Sequence, residues 1–392
     1  MIDIKEEKNC CGCGACVAVC PKHCIRMEER TLGAVFPVVD SDLCVHCDAC
    51  TRVCPIINAS HDKAVEQSAY AAIAKDPSQR FEGSSGGTFG VFARAFLKRG
   101  GVVYGAAFDE QLKLRCTSAE TEAELKRLYK SKYLQSDMTE RFPEILARLK
   151  QGEKVMFVST PCQNAALKRY LKQDFPNLLQ IDFFCHGVPS QKFFDECIAY
   201  EDQKKDMETT YYEFRTKVSN GSTPHYFTKK SLKNGKEIHK TGYYFESPFY
   251  AAFQQYVNLR ESCYTCEFSS RDRCTDITLG DFHEIDRYMD GINRFDGVST
   301  IIANTAKGAN FLESVKDGLQ LYEMDINRLI VDGTVFGGST KRPAHREAFV
   351  NCYEKGGIPG LMETHLNPKR YIKNRVYYGM PTPVRKLLKK IL

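Results

Sequence analysis

A cysteine pattern that occurs twice sets the tightest limit on how this chain folds. Cys10-x2-Cys13-x2-Cys16-x3-Cys20-Pro21 returns as Cys44-x2-Cys47-x2-Cys50-x3-Cys54-Pro55, displaced by 34 residues at every position. Three cysteines at this spacing let one loop set thiolates on three corners of an iron–sulfur cubane, while the fourth, just before proline, ligates the other cluster. The spacing therefore predicts one 4Fe-4S cluster on Cys10, Cys13, Cys16 and Cys54, and a second on Cys44, Cys47, Cys50 and Cys20. Short helical turns are expected at 17–19 and 51–53, with apolar residues against the clusters. A zinc knuckle closes four ligands on one tetrahedron and does not need the interleaved Cys-Pro. Cys11 and Cys24 fall outside the pattern and are expected to be packing residues.

The crowding is unusual: 10 of the 18 cysteines lie in the first 54 of 392 residues. The opening MIDIKEEKNC lacks the apolar core of a secretory signal, and no apolar run approaches bilayer length, so a cytoplasmic chain is expected. In that compartment clustered cysteines point to metal rather than disulfides. The segment resembles the bacterial two-cluster ferredoxins, a domain expected over residues 1–60. Such a module moves electrons one at a time, so the remaining chain has to supply the reaction.

That remainder has an ordinary globular makeup, with 43% hydrophobic and 27% charged residues, which excludes a disordered or collagenous chain. The net charge of +6 comes from the end. After Glu363 there are only basic charges, Lys369, Arg370, Lys373, Arg375, Arg385, Lys386, Lys389 and Lys390. The body is near neutral and offers no nucleic-acid-binding face. Residues 58–68 are polar and aperiodic and read as a linker into a core over 68–350, with a basic tail over 351–392.

Strands are expected at 70–74, 102–108, 154–159 and 178–184, and helices at 88–98, 120–129, 139–150, from Pro161 and from near Pro189. Residues 211–245 look hairpin-rich, with Asn-Gly turns at Asn220-Gly221 and Asn234-Gly235. The alternation predicts a mixed α/β core behind a small ferredoxin domain.

Three local signals carry chemistry. Ser84-Ser85-Gly86-Gly87-Thr88 stands directly ahead of a helix, where small residues admit a phosphate to free N–H groups or simply cap the helix. Cys162 and Cys185 each sit where a strand gives way to a turn, the end at which α/β sheets bind ligands. With Cys263-x2-Cys266 they make four thiols, open to three readings: a third cluster, a zinc site, or a redox pair at Cys263 and Cys266. Cys274 is nearby. Finally, Gly280-Asp281-Phe282-His283 follows the apolar run 277–279, placing an acid at a strand end.

Taken together, the chain resembles the beta-subunit family of coenzyme F420 hydrogenases and dehydrogenases over residues 68–310. Six motifs appear in family order: Ser85-Gly86-Gly87; Ser131-Lys132-Tyr133 with Gln135-Ser136; Thr160-Pro161-Cys162-Gln163; Cys185-His186-Gly187-Val188-Pro189-Ser190; Cys263-x2-Cys266; and Asp276 to Phe282. The resemblance implies a flavin-binding core with its own 4Fe-4S cluster on Cys162, Cys185, Cys263 and Cys266. It implies an FAD site drawn from Ser84, Ser85, Gly86, Gly87, Thr88, Lys132, Tyr133, Gln135, Ser136, Thr160 and Asp281. One departure stands out. Relatives commonly read Gly-Asp-Phe-Trp-Gly at the last motif, whereas this chain has His283-Glu284 and no tryptophan anywhere, so substrate identity does not transfer.

The expected activity is a relay between a flavin, which exchanges a hydride with coenzyme F420 or another small molecule, and ferredoxin-type clusters served by a redox partner protein. His186 and Asp281 are the candidate proton donors. The alternative is a non-enzymatic electron-transfer subunit docked on a separate catalytic partner. In the tail, Val384, Leu387, Leu388, Ile391 and Leu392 share one helical face among basic residues. That stripe suits either packing on the body or peripheral contact with an anionic membrane.

Overall fold

The computed structural model describes residues 1–58, 68–218, 226–282, 297–329, 336–380 and 384. Nearly all of the expected linker, the Asn220-Gly221 turn, His283-Glu284 and the tail beyond Val384 lie outside the described residues.

In the N-terminal module the two cysteine loops wrap alike. Gly12 and Gly14 in the first, and His46 and Asp48 at the same places in the second, all take positive φ, at 64°, 79°, 52° and 57°. These left-handed kinks turn successive cysteines to one side, and glycine makes them cheap only in the first loop. Helical turns follow at Ala15–Ala18 and Ala49–Val53, beginning two residues ahead of the expected positions. Between the loops, β1 (Ile25–Glu29) and β2 (Val35–Val39) form an antiparallel hairpin that the cysteine spacing does not announce.

The core strands are β3 (Ser68–Ala74), β4 (Gly101–Phe108), β5 (Leu114–Ala119), β6 (Lys154–Val158), β7 (Leu178–Phe183), β8 (Glu208–Phe214), β9 (Tyr226–Lys233), β10 (Lys236–Tyr243), β11 (Ile277–Asp281), β12 (Ser299–Ala303) and β13 (Leu319–Met324). Eight of them form one mixed sheet in the order β13-β3-β12-β11-β7-β6-β4-β5. The central β11, β7, β6 and β4 run parallel, and the flanking pairs are antiparallel. Parallel strands need both faces covered, and Val155, Met156 and Phe157 of β6 are accordingly fully buried. Helix Pro161–Leu171, opened by its proline, makes the crossover from β6 to β7. The chain segments after β6, β7 and β11 therefore emerge at one edge, the crevice end of such a sheet.

A second, antiparallel sheet, β10-β9-β8, turns at Asn234-Gly235, where both residues take positive φ (50° and 72°), as a type I′ hairpin requires. Its inner face joins an aromatic cluster that includes Phe194, Tyr212, Phe214, Phe227, Phe249 and Tyr250. This packing sets the end of β8 beside the crevice.

Two expected helices differ. The segment 120–129 shortens to Glu122–Leu125 and a 3-10 turn at Lys126–Leu128. The helix expected near Pro189 runs from Gln191 to Lys205, because Ser190 caps it by accepting from the Phe193 N–H. The helical segment Arg346–Glu363, kinked at Gly357 (φ 58°), runs across residue 351, where the tail is expected to begin, and buries Phe349, Ile358 and Leu361. Among the described residues no helix is long and apolar enough to cross a membrane.

Candidate functional site

Cys20, Cys44, Cys47 and Cys50, one of the two ligand sets expected in the N-terminal module, line a single open cavity of about 330 Å³ together with Cys24. The Ile2 N–H donates to Cys50 Sγ at 3.3 Å, and Cys24 Sγ lies 3.4 Å from Cys20 Sγ. In the other set, Cys10, Cys13, Cys16 and Cys54 are all buried. Burial, reinforced by Cys10 and Cys54, pushes the Cys16 thiol up to about 12. Thiols crowded in this way lose their protons readily only to a metal, so the donor set fits iron–sulfur ligation.

The core quartet comes together from two strand ends and a 3-10 turn. Cys162 lies in the first turn of helix Pro161–Leu171, Cys185 two residues past β7, and Cys263 in the 3-10 turn Glu261–Thr265, followed by Cys266. Burial pushes the Cys185 thiol well up, and Cys263, Cys162 and Cys266 each add to the effect. Burial and the same neighbours raise Cys263 to about 12 and Cys266 to about 11. The approach is close. Gly187 takes φ 120°, and a Cβ there would lie 2.8 Å from the Cys263 Cβ. The Val188 N–H donates to Cys263 Sγ at 3.4 Å, and Thr160 Oγ1 lies 3.4 Å from Cys162 Sγ. Among the described residues no three such side chains stand close enough to hold a single metal ion, and four neighbouring thiols fit a four-iron cluster by their chemistry. Cys274 instead lines a cavity of about 480 Å³ with Arg273, Asp272 and Lys168.

The N-terminal module meets this quartet directly. The Cys11 and Cys162 thiols interact, and each is raised well above the ordinary range, Cys11 chiefly by Cys13 and Cys162 chiefly by Cys11. Gln135 donates from Nε2 to the carbonyls of Cys11 and Gly12 at 2.7 and 2.8 Å. It is expected at the flavin, but its amide serves the cysteine loop. Ser136 is buried against Gln163, whose Nε2 donates to the Ser136 carbonyl at 2.8 Å.

Basic side chains gather around Ser84 to Thr88 at the crevice end of the sheet. Gly86 sits where a Cβ would lie 2.3 Å from the Ala72 carbonyl oxygen, and its N–H donates to Ser299 Oγ at 2.9 Å. Ser85 Oγ donates to the Val298 carbonyl, and Ser84 Oγ accepts from the Ser131 N–H. Arg215, one residue beyond β8, donates from Nη2 to the Ser84 carbonyl at 3.0 Å, and from Nη1 to Asp281 Oδ2 at 2.7 Å and Tyr133 Oη at 3.3 Å. Tyr133 stacks its ring on Phe253. Lys217 donates to the Arg80 and Ser85 carbonyls. Burial, helped by Lys130, Arg215 and Arg80, lowers Lys217 to about 7. Burial likewise lowers Lys132 to about 7, while its ammonium donates to the Arg127 and Tyr129 carbonyls. Lys130 and Arg215 both hold left-handed backbones, φ 67° and 60°, the kind of strain that gathers at ligand sites.

Several cations thus share this crevice with the Asp281 carboxylate. Three buried polar atoms here, Arg215 Nε, Thr88 Oγ1 and Tyr129 Oη, have no hydrogen-bond partner. Such orphans in a cationic cradle fit an anionic group like the pyrophosphate of FAD. His186 lies beside the cysteine quartet, stacked on Tyr256 with Nδ1 3.4 Å from the tyrosine hydroxyl.

Sequence reasoning overlooks Lys130, Arg215, Lys217 and Arg260. Arg215 and Lys217 follow a hairpin strand with no motif around them. The position of Arg260, three residues before Cys263, is the only signal that it carries.

Two family models match the chain. Residues 9–57 match the 4Fe-4S dicluster domain, and residues 152–328 match the C terminus of the coenzyme F420 hydrogenase/dehydrogenase beta subunit. No curated protein sequence matches the chain. Among solved structures, a chain of the F420-reducing NiFe hydrogenase complex from Methanosarcina barkeri, in a xenon-derivatised form, is similar at 17% identity. The match covers 77% of this chain and 91% of that one, with a TM-score of 0.43. Residues 9–57 and 152–328 thus have the makeup of an iron–sulfur electron-transfer oxidoreductase, a stretch similar to 4Fe-4S dicluster domains ahead of one similar to the beta subunits of coenzyme F420 hydrogenases and dehydrogenases.

Proposed function

We propose that the chain is an iron–sulfur flavoprotein that passes electrons between a redox partner at its N-terminal module and a small organic hydride donor or acceptor, coenzyme F420 or another, at the basic crevice. The observation that carries this reading is the meeting of Cys162 and Cys185, at the ends of β6 and β7, with Cys263 and Cys266 of the 3-10 turn, and of Cys11 of the N-terminal module with Cys162. A bound flavin would exchange two electrons with an organic molecule and one with a cluster, which is the junction chemistry needed here.

The chain's own residues do the rest. Arg215 and Lys217 offer positive charge to a phosphate, and Asp281 holds the Arg215 guanidinium in place. Gly86 and Gly87 keep the loop backbone close to the start of β12 and the helix at Thr88. His186 is the proton donor to test beside the quartet. At the far cysteine set, Cys47 is exposed between the exposed Leu43 and Val45 and Asp48, which suits contact with a protein partner.

The test is iron, zinc and flavin analysis of anaerobically purified chain, followed by addition of reduced F420 and other hydride donors while flavin absorbance is watched. About 12 irons and one FAD per chain, with bleaching by a donor, supports the proposal. Iron without flavin leaves an electron-transfer subunit only. About 8 irons with zinc overturns the core cluster.

A further inference from the structure

Arg260 is a buried arginine, 3% exposed, with its backbone in the core and its guanidinium in the N-terminal module. Its N–H donates to the Val188 carbonyl and its carbonyl accepts from the Cys263 N–H, both at 3.0 Å, which ties it to the cysteine quartet. Its side chain reaches the first cysteine loop. Nε donates to the Cys10 carbonyl at 2.8 Å, Nη2 to the Val35 carbonyl at 2.5 Å and toward Cys10 Sγ at 3.6 Å, and Nη1 to Gln135 Oε1 at 3.2 Å. The guanidinium lies 4.2 Å above the centre of the Phe36 ring. A Cβ on Gly12 would stand 2.6 Å from Nη1, so only glycine admits the group there.

None of these acceptors is a carboxylate. Leaving a buried guanidinium without a counter-charge costs several kcal/mol, so its position needs negative charge from elsewhere. The groups placed to supply it are the two expected ligand sets that Arg260 joins: Cys10, whose Sγ lies 3.6 Å from Nη2, and Cys263, whose N–H is bonded to the Arg260 carbonyl.

We propose that Arg260 is the positioning residue joining the core cysteine quartet to the Cys10/Cys13/Cys16/Cys54 site, latching that loop in place and raising the reduction potential of the cluster held at each end. The inference rests on the reading that clusters occupy these sets. A cation beside a cluster stabilises the form carrying the extra electron, and the effect is largest where water is excluded. Arg260 contacts the first cysteine loop and not the second, so the Cys20/Cys44/Cys47/Cys50 site serves as an internal control.

The experiment is an EPR-monitored redox titration of wild type, Arg260→Gln and Arg260→Lys, each purified anaerobically as the full chain, with hydrogen exchange read over residues 10–14. In Arg260→Gln two of the three clusters should become harder to reduce, with at least a tenfold fall in the reduced-to-oxidised ratio at fixed poise, about 59 mV for one electron. The third should not move. Arg260→Lys keeps the charge and loses the fork, so potentials should stay within about threefold of wild type while exchange at residues 10–14 rises. Twelve irons with unmoved potentials in Arg260→Gln would overturn the role of Arg260 alone. If that variant fails to assemble, unchanged exchange in Arg260→Lys overturns the latch. Eight irons in the wild type would instead sink the underlying cluster reading.

Discussion

The two kinds of cysteine site in this molecule are built in opposite ways. In the N-terminal module all eight expected ligands fall within 45 residues, and two loops of the same shape, each kinked by left-handed residues, present them. In the core, Cys162, Cys185, Cys263 and Cys266 span 105 residues and meet only because β6 and β7 end side by side, with the segment after Leu259 folded back onto Val188. The first kind is expected to organise itself around a metal. The second needs a finished sheet before its ligands converge, and the difference predicts how each fails.

The largest effect should follow removal of iron by a chelator under anaerobic conditions. The N-terminal module, with a two-stranded hairpin and little core of its own, should lose its amide protection almost completely, because metal binding there supplies folding free energy. The eight-stranded sheet should keep its protection. Equal loss in both would erase the distinction between a metal-organised and a sheet-organised site.

Next in size is the effect of single ligands. Cys185→Ser should lower iron from about 12 to about 8 per chain and leave the N-terminal EPR signals intact, whereas Cys11→Ser should keep all three clusters. Iron loss from the N-terminal clusters in Cys185→Ser would show that the core quartet supports them.

The crevice sharpens the comparison further, since it uses charge rather than thiols. Arg215→Gln should weaken FAD binding about 10- to 100-fold, the range for losing a charge-assisted bond to phosphate. Fluorescence titration of flavin would reveal it, and unchanged affinity would remove Arg215 from the site. The pH dependence has a definite sign. Lys217, lowered to about 7 by burial and its basic neighbours, is charged below that pH and neutral above it. FAD affinity should therefore fall as pH rises through 7, by about tenfold for a one-unit change in the pKa on binding. Affinity that rises over that interval would assign the anion to other groups.

The smallest expected effect is at Ser190, whose hydroxyl caps helix Gln191–Lys205 and donates to the Leu32 carbonyl of the N-terminal module. Ser190→Ala should cost about 1 kcal/mol of stability, read by denaturant unfolding. A negligible cost would show that this contact between module and core is incidental.

How much was legible in the sequence follows the same divide. The repeat at 34 residues announces the 4Fe-4S dicluster domain that residues 9–57 match, because cluster ligation is a local affair of loop spacing. The strands at 102–108, 154–159 and 178–184 are also legible, because buried parallel strands read as short apolar runs between helices. The Asn234-Gly235 turn is legible for its left-handed demands. Strands β12 and β13 are not, since their place in the sheet depends on pairing with β3 more than 200 residues away in sequence. Gln135 shows the limit at a site: its motif gives no sign that its amide donates to the Cys11 and Gly12 carbonyls.

By itself, then, the sequence determined the chemistry available to this protein: which thiols form each loop, and that electrons are the currency. Only the tertiary structure decided where that chemistry is joined. Arg260 between Cys10 and Cys263, Cys11 against Cys162, and Arg215 with Lys217 over the Ser84–Gly87 loop are contacts between residues far apart in sequence. The physical reason is range. Loop spacing and side-chain periodicity act over a few residues, whereas compensating a buried charge depends on whatever the packed sheet and hairpins bring within a few ångströms.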